Sequence, residues 1–126
     1  MFLRFVTTRI DEDSRKPQGV FAAAYLLLDS GDLNPNEWQQ VREILDRFEK
    51  YLPHPSKNFS ANRAIFLFWS NADESIKRIW ELVHLLRLHG YHVEVYKCRR
   101  LANICYRDQF QVAAYPSEQD GKITVQ

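Results

Sequence analysis

The chain has 126 residues, of which 45% are hydrophobic and 26% are charged, so its size and composition are typical of one globular domain. Its 17 Lys and Arg residues nearly balance 16 Asp and Glu residues, and a net charge of +1 gives no general attraction to nucleic acid or to an anionic membrane. We expect a cytoplasmic protein with reduced thiols, because the sequence has no secretory signal pattern, no apolar run of membrane-spanning length and only two cysteines.

The first part of the chain predicts a strand followed by two helices. Residues 2–9 are largely apolar on both alternating faces, which suits a strand covered on both sides, with Arg4 as an exception. The Ala- and Leu-rich segment 20–29 predicts a short buried helix. Asn34-Pro-Asn-Glu37 has the form of a capping box with proline at the first helical position, so a second, amphipathic helix is expected over 35–52.

Residues 63–97 have the pattern of one strand–helix–strand unit. The aromatic run 64–69 predicts a strand with two apolar faces, Asn71 and Glu74 predict a capping box for the next helix, and 91–96 predicts the second strand. A crossover of this length normally makes two strands parallel. The buried stripe of the helix is predicted to contain Ile76, Ile79, Trp80, Val83 and Leu86.

The last part of the chain predicts a hairpin that turns near Arg107-Asp108. Residues 1–115 are expected to form a single α+β domain of the sandwich type, and 116–126 a loosely held tail in which 122–125 can add a short edge strand. The element order β-α-α-β-α-β-β-β predicts a mixed sheet of four or five strands with one parallel β-α-β crossover and a C-terminal hairpin.

Four segments of the chain resemble a group of short uncharacterised bacterial α+β proteins. They are Leu3-Arg-Phe-Val6, Gln18-Gly-Val-Phe-Ala-Ala-Ala-Tyr25, the helix from Ile76 to Gly90, and Tyr106-Arg-Asp-Gln-Phe-Gln-Val112. The resemblance covers most of the chain and rests on packing and turn residues. It implies a bacterial cytosolic domain and carries over no activity and no functional residue.

Four basic residues are the first candidate for a ligand site: Lys97, Arg99, Arg100 and Arg107. The first three follow the end of a predicted parallel strand, where open α/β sheets tend to bind ligands, and the fourth lies in the next turn. Guanidinium groups in such a place bind a phosphate or carboxylate through paired hydrogen bonds. The competing interpretation, a solvated loop, is the more common fate of such charges.

Arg4 and Glu94 are charges inside otherwise apolar predicted strands. They fit either a functional pair at the floor of a pocket, or a cross-strand ion pair or two groups facing solvent at a sheet edge, and the second account is favoured. The four histidines and two cysteines lack the spacing of a zinc site, and no phosphate loop or strained serine turn is present. The sequence thus predicts no metal, no cofactor and no catalytic residue.

The leading functional hypothesis is a non-catalytic binding or regulatory module that acts through a protein partner or as a homodimer. It rests on the missing catalytic motifs, the near-neutral charge and the many aromatic residues. The alternative is a domain that binds an anion, either a nucleotide or a nucleic acid, through the basic residues. A third hypothesis, an uncharacterised hydrolase, requires a pocket with a carboxylate or thiol beside a histidine.

Overall fold

The structure, a computed structural model of the chain, describes residues 1–10, 12, 15–53 and 64–116, and the backbone of 122–125. Within these residues the elements are β1 (Phe2–Ile10), β2 (Pro17–Gly19), α1 (Val20–Asp29), α2 (Pro35–Tyr51), β3 (Ile65–Trp69), α3 (Asp73–Leu88), β4 (Val93–Cys98), β5 (Ile104–Arg107), β6 (Gln111–Ala114) and β7 (Lys122–Val125). The predicted α+β class is confirmed. The order along the chain gains two short strands, β2 and β7, that the sequence analysis either missed or left as an option.

One sheet contains all of these strands, and every pair in it is antiparallel. Six strands follow the order β5-β6-β3-β1-β4-β7, and β2 pairs with the second half of β1. The predicted mixed sheet of four or five strands is therefore wrong. The predicted C-terminal hairpin is present as β5 and β6.

The predicted parallel crossover is also wrong, for a reason that lies outside the segment that suggested it. β3 and β4 do run in the same direction, because each is antiparallel to β1. β1 lies between them, however, so that they do not pair, and the unit is a split β-α-β arrangement. The sequence of this unit contains no sign of the inserted strand, which comes from the N-terminus.

The helices all pack on one face of the sheet. Side chains alternate along a strand, and Phe5 of β1, Phe68 of β3 and Val95 of β4 point to the helix side, where they share one apolar cluster with the helices. The helical members of this main core are Val20, Ala23, Ala24, Leu27, Leu28, Val41, Ile44, Leu45, Phe48, Ile79, Leu82, Val83, Leu85 and Leu86.

The start of α2 agrees with its predicted capping box, whereas the start of α3 does not. Asn34 Oδ1 accepts a hydrogen bond from the Glu37 N–H at 2.8 Å, and the Glu37 carboxylate accepts one from the Asn34 N–H at 3.1 Å. The capping box expected from Asn71 and Glu74 is wrong, because α3 begins after Ala72, whose methyl group accepts no hydrogen bond. Acidic residues in the first turn of α3 favour its N-terminus through the helix dipole instead.

The predicted burial of Trp80 is wrong. Its side chain is 39% exposed, whereas Ile79, Leu82 and Leu86 are fully buried. The buried stripe of α3 is rotated toward Leu82 because the helix packs against α1 and α2 as well as against the sheet. Trp80 is left at the flank of the helix, where its ring meets Phe5 edge-on with centroids 5.3 Å apart.

The face of the sheet away from the helices has a smaller apolar cluster of its own. Phe2, Leu67, Cys98 and Val112 are buried in it, and Leu101 packs against them from the loop between β4 and β5. This loop crosses the face because β4 and β5 are separated by three other strands.

The turn between β5 and β6 is organised by the carboxylate of Asp108. Its Oδ1 accepts hydrogen bonds from the N–H groups of Phe110 at 2.7 Å and Gln111 at 2.9 Å, and its Oδ2 accepts one from the Tyr106 hydroxyl at 2.6 Å. The indole N–H of Trp69 donates to the Asp108 carbonyl at 3.0 Å, which ties the turn to β3. The hydrogen bond to this carboxylate, with burial, raises the pKa of Tyr106 to about 12.

Candidate functional site

The four basic residues predicted as an anion site are divided between two parts of the sheet. The Cα of Lys97 pairs with that of Leu3 on the face toward the helices, whereas Arg99 and Arg100 are exposed on the loop after β4. Arg107 ends β5, which is four strand spacings from β4, or about 19 Å. The argument from the end of a parallel strand does not apply, since β4 is antiparallel to both of its neighbours.

Arg4 and Glu94 lie on the same face of the sheet, away from the helices. Arg4 pairs with Tyr96 and Glu94 with Val6, and β1 is a central strand, so the sheet-edge account of Arg4 is wrong. Arg4 is only 8% exposed. The pKa of Tyr96 is raised by burial and by its hydrogen bond to Glu94, against an opposing effect of Arg4, and His92 Nε2 lies 3.1 Å from the Glu94 carboxylate. These four side chains form one polar cluster that accommodates a buried arginine.

The thiols of Cys98 and Cys105 each donate a hydrogen bond to a backbone carbonyl. Cys105 Sγ donates to the carbonyl of Ala113 at 3.4 Å, and burial raises the pKa of this thiol. Cys98 Sγ donates to the carbonyl of Arg100 at 3.0 Å. A reactive cysteine needs a lowered pKa, so the raised pKa of Cys105 argues against a role as a nucleophile. Among the residues that the structure describes, no group of three or more His, Cys, Asp or Glu side chains is placed to hold a metal ion.

The helix pair α2 and α3 is tied together at one end by a hydrogen bond. His89, just after α3, places Nε2 2.7 Å from Oε2 of Glu37 in the first turn of α2. This bond, with the one from the Asn34 N–H, lowers the pKa of Glu37. The end of α3 therefore lies beside the start of α2, so the two helices run antiparallel.

A groove with a volume of about 880 Å³ lies between the outer sides of α2 and α3. Its lining includes apolar parts of Ile44, Leu85 and Trp80, and its rims include charged side chains such as Glu43 and Lys77. Partial exposure of an aromatic residue beside an apolar floor is typical of binding surfaces.

A second hollow, of about 340 Å³, continues the groove toward the β5–β6 turn. Arg47 of α2 and Arg78 of α3 line both spaces, so the two adjoin at these side chains. The floor of this hollow is aromatic and aliphatic, with Phe48, Leu52 and Phe110. We call it the anchor hollow.

Positive charge predominates around the anchor hollow. Arg78 is 3.3 Å from Glu81, and Arg47 has no hydrogen bond or ion pair with any other described residue. Lys50 lies over the ring of Tyr51, which also lines the hollow, at 5.3 Å from the ring centroid. Sequence reasoning missed this site because it looked for basic residues that are adjacent in the sequence. The available signal was the i, i+4 spacing of Arg47 and Tyr51 beside a buried stripe.

Comparison of the chain with family models, with curated proteins and with solved structures gives no significant match. The resemblance to short bacterial proteins therefore stays a prediction. None of the described helices combines the length and the hydrophobicity that crossing a membrane requires.

Proposed function

We propose that this protein is a non-catalytic binding module and that the groove between α2 and α3 receives a segment of a partner protein. The observation that carries the proposal is that the groove and the anchor hollow adjoin at Arg47 and Arg78, so that together they follow α2 and α3. Along α2 it extends from Gln40 to Leu52, a length of about 18 Å at 1.5 Å per residue. This length matches about three turns of a helix, and an apolar floor between two helices is the surface that an amphipathic helix uses.

The surroundings of the described histidines and thiols support binding over catalysis. His89 and His92 each contact a carboxylate, and neither contact is with a hydroxyl or a thiol. Cys98 and Cys105 donate to backbone carbonyls. The hydrolase hypothesis requires a pocket with a carboxylate or thiol beside a histidine. The pairs of His89 with Glu37 and of His92 with Glu94 are not among the described residues that line the groove or the anchor hollow.

A site-specific cross-linking experiment tests the proposal. The photoreactive residue p-benzoylphenylalanine replaces Lys77 in the groove or, as a control, the exposed Ala22 on α1. We expect one discrete adduct from position 77, none from position 22, and loss of the adduct when Arg47→Glu is added. Peptide mapping must place the cross-link in the groove.

Two results would contradict this proposal. Adducts of equal yield from positions 77 and 22 would show that the contact is non-specific. The absence of any adduct from position 77, in cells that produce the protein naturally, would show that the groove is not a docking site. An adduct at twice the 15.0 kDa mass of the chain would show that the groove binds a second copy of this chain and not a different protein.

A second candidate function is anion binding through Arg99 and Arg100, whose exposure side by side favours it, whereas Lys97 and Arg107 lie in other parts of the sheet. Binding of a single-stranded oligonucleotide that falls steeply with salt would support this function. Unchanged affinity in the Arg99→Ala, Arg100→Ala double variant would argue against it.

A further inference from the structure

We infer that the segment received by the groove carries an acidic group next to a large apolar side chain, and that both bind at the anchor hollow. This inference rests on the proposed function and adds the chemistry of the partner. A segment that is both acidic and apolar can be compared with a basic segment of the same apolar content, so its chemistry can be tested separately from binding in the groove.

The apolar half of the inference comes from the size and rigidity of the hollow. A volume of about 340 Å³ lies at the lower end of the range for ligand pockets, about 300–1,000 Å³, so the hollow holds one large side chain better than a cofactor. The Phe48 ring in its floor is buried and packs with Phe68, at a centroid distance of 6.3 Å. Phe110 is held by the hydrogen bond from its N–H to Asp108. Preformed walls reduce the entropy lost on binding.

The acidic half of the inference comes from the charges at the rim. Arg47 and Arg78 stand on opposite helices, and Lys50 lies beside them over Tyr51, whereas Glu74 is the one carboxylate among the described residues that line the hollow. Arg78 contacts Glu81 only at 3.3–3.4 Å, which leaves most of its donors for a ligand. Guanidinium groups bind carboxylates through two parallel hydrogen bonds, so an acidic segment is favoured.

The same charges disfavour a basic segment. A lysine or arginine placed beside the anchor side chain would meet both Arg47 and Arg78 at close range, and among the described residues that line the hollow only Glu74 could offset them. Such like-charge contact discriminates between partners even where the apolar contacts are the same. The property to measure is therefore the difference in affinity between an acidic and a basic segment that carry the same apolar side chains.

The test uses two probe peptides of about 12 residues, the length of segment that the groove accommodates. Both carry leucine and phenylalanine at i, i+3, i+4 and i+7, and they differ only in having glutamate or lysine beside the phenylalanine. Fluorescence anisotropy gives their affinities for wild-type protein and for the variants Arg47→Gln, Phe110→Ala and, as a control away from the groove, Arg99→Gln.

We expect the glutamate peptide to bind at least about tenfold more tightly than the lysine peptide. Arg47→Gln should weaken the glutamate peptide by about tenfold and leave the lysine peptide unchanged or slightly tighter. Phe110→Ala should weaken both peptides, and Arg99→Gln neither.

Equal or tighter binding of the lysine peptide would overturn the inference and leave the groove as a docking site. The same conclusion would follow if neither peptide bound but the cross-link from position 77 to a partner still formed. Displacement of the glutamate peptide by sodium phosphate at constant ionic strength would overturn it in favour of a free-anion site. If the cross-linking experiment also gives no adduct, the proposed function fails with it.

Discussion

Replacement of Asp108 by alanine tests the organisation of the β5–β6 turn. The substitution removes the acceptor for four donors at once, namely the N–H groups of Phe110 and Gln111, the hydroxyl of Tyr106 and, at 3.4 Å, the side-chain amide of Gln111. A hydrogen bond to a charged acceptor contributes about 1.5–3 kcal/mol, and the half-exposed turn lets water replace part of each bond. We therefore expect the free energy of unfolding to fall by about 2–4 kcal/mol.

Urea denaturation measures this loss, and Asp108→Asn is the matched control. The asparagine keeps an oxygen for the two backbone donors, but its amide nitrogen cannot accept from Tyr106. It should therefore cost less than alanine, about 1–2 kcal/mol.

The pKa of Tyr106 gives an independent measurement of the same turn. Its value of about 12 arises first from the hydrogen bond to Asp108, so in Asp108→Ala it should fall toward the ordinary value of 10.0. Carbon-13 NMR of labelled tyrosine follows the titration, and Tyr106→Phe identifies the signal among the six tyrosines. Asp108→Ala with a stability within about 0.5 kcal/mol of wild type and an unchanged Tyr106 pKa would refute this description of the turn.

The remaining predictions concern the core, the helix tie and a thiol. Ile79→Ala removes a fully buried side chain and should cost about 2–5 kcal/mol, whereas Trp80→Ala should cost about 1–2 kcal/mol, because its 39% exposed ring leaves no closed cavity. Denaturation curves compare the two, and a larger loss from Trp80→Ala would restore the burial first predicted for it. The folded pKa of Glu37 is lowered by His89, so this stabilisation is present above the ordinary carboxyl pKa of 4.5 and is lost as the pH falls through the lower folded value. The melting temperature of His89→Gln should thus be below that of wild type at neutral pH, and the gap should close in acid; a gap independent of pH would contradict the assignment. Burial raises the pKa of Cys105, so mass spectrometry should find its alkylation by iodoacetamide slower in the folded than in the denatured protein.

The features that sequence reasoning predicted correctly depend on residues close together in the chain. The capping box of α2 joins Asn34 and Glu37, three residues apart, and the hairpin joins two strands across a short turn. Such contacts are determined by the side chains and backbone of one segment, so their signals are complete within it.

The features that it predicted incorrectly depend on partners far away in the chain. The neighbour of β3 is β1 and not β4, and the register of α3 follows from its contacts with α1 and α2, which moved Trp80 from the core to the flank. The groove was missed for the same reason, since Arg47 and Arg78 meet only when two helices pack. Of the basic residues that the sequence suggested as one site, Arg99 and Arg100 are exposed together, whereas Arg107 lies four strand spacings from β4.

The central position of β1 determines when this chain can fold during its synthesis. β1 leaves the ribosome before β3 and β4, yet Phe2 pairs with Trp69 on one side and with Cys98 on the other. β2 is the nearby partner, β3 follows at residue 65, and the edge of β1 that pairs with β4 stays unpaired until β4 has been synthesised. Such non-local pairing slows folding, and chains that terminate before β4 should retain β1 with an unpaired, aggregation-prone edge.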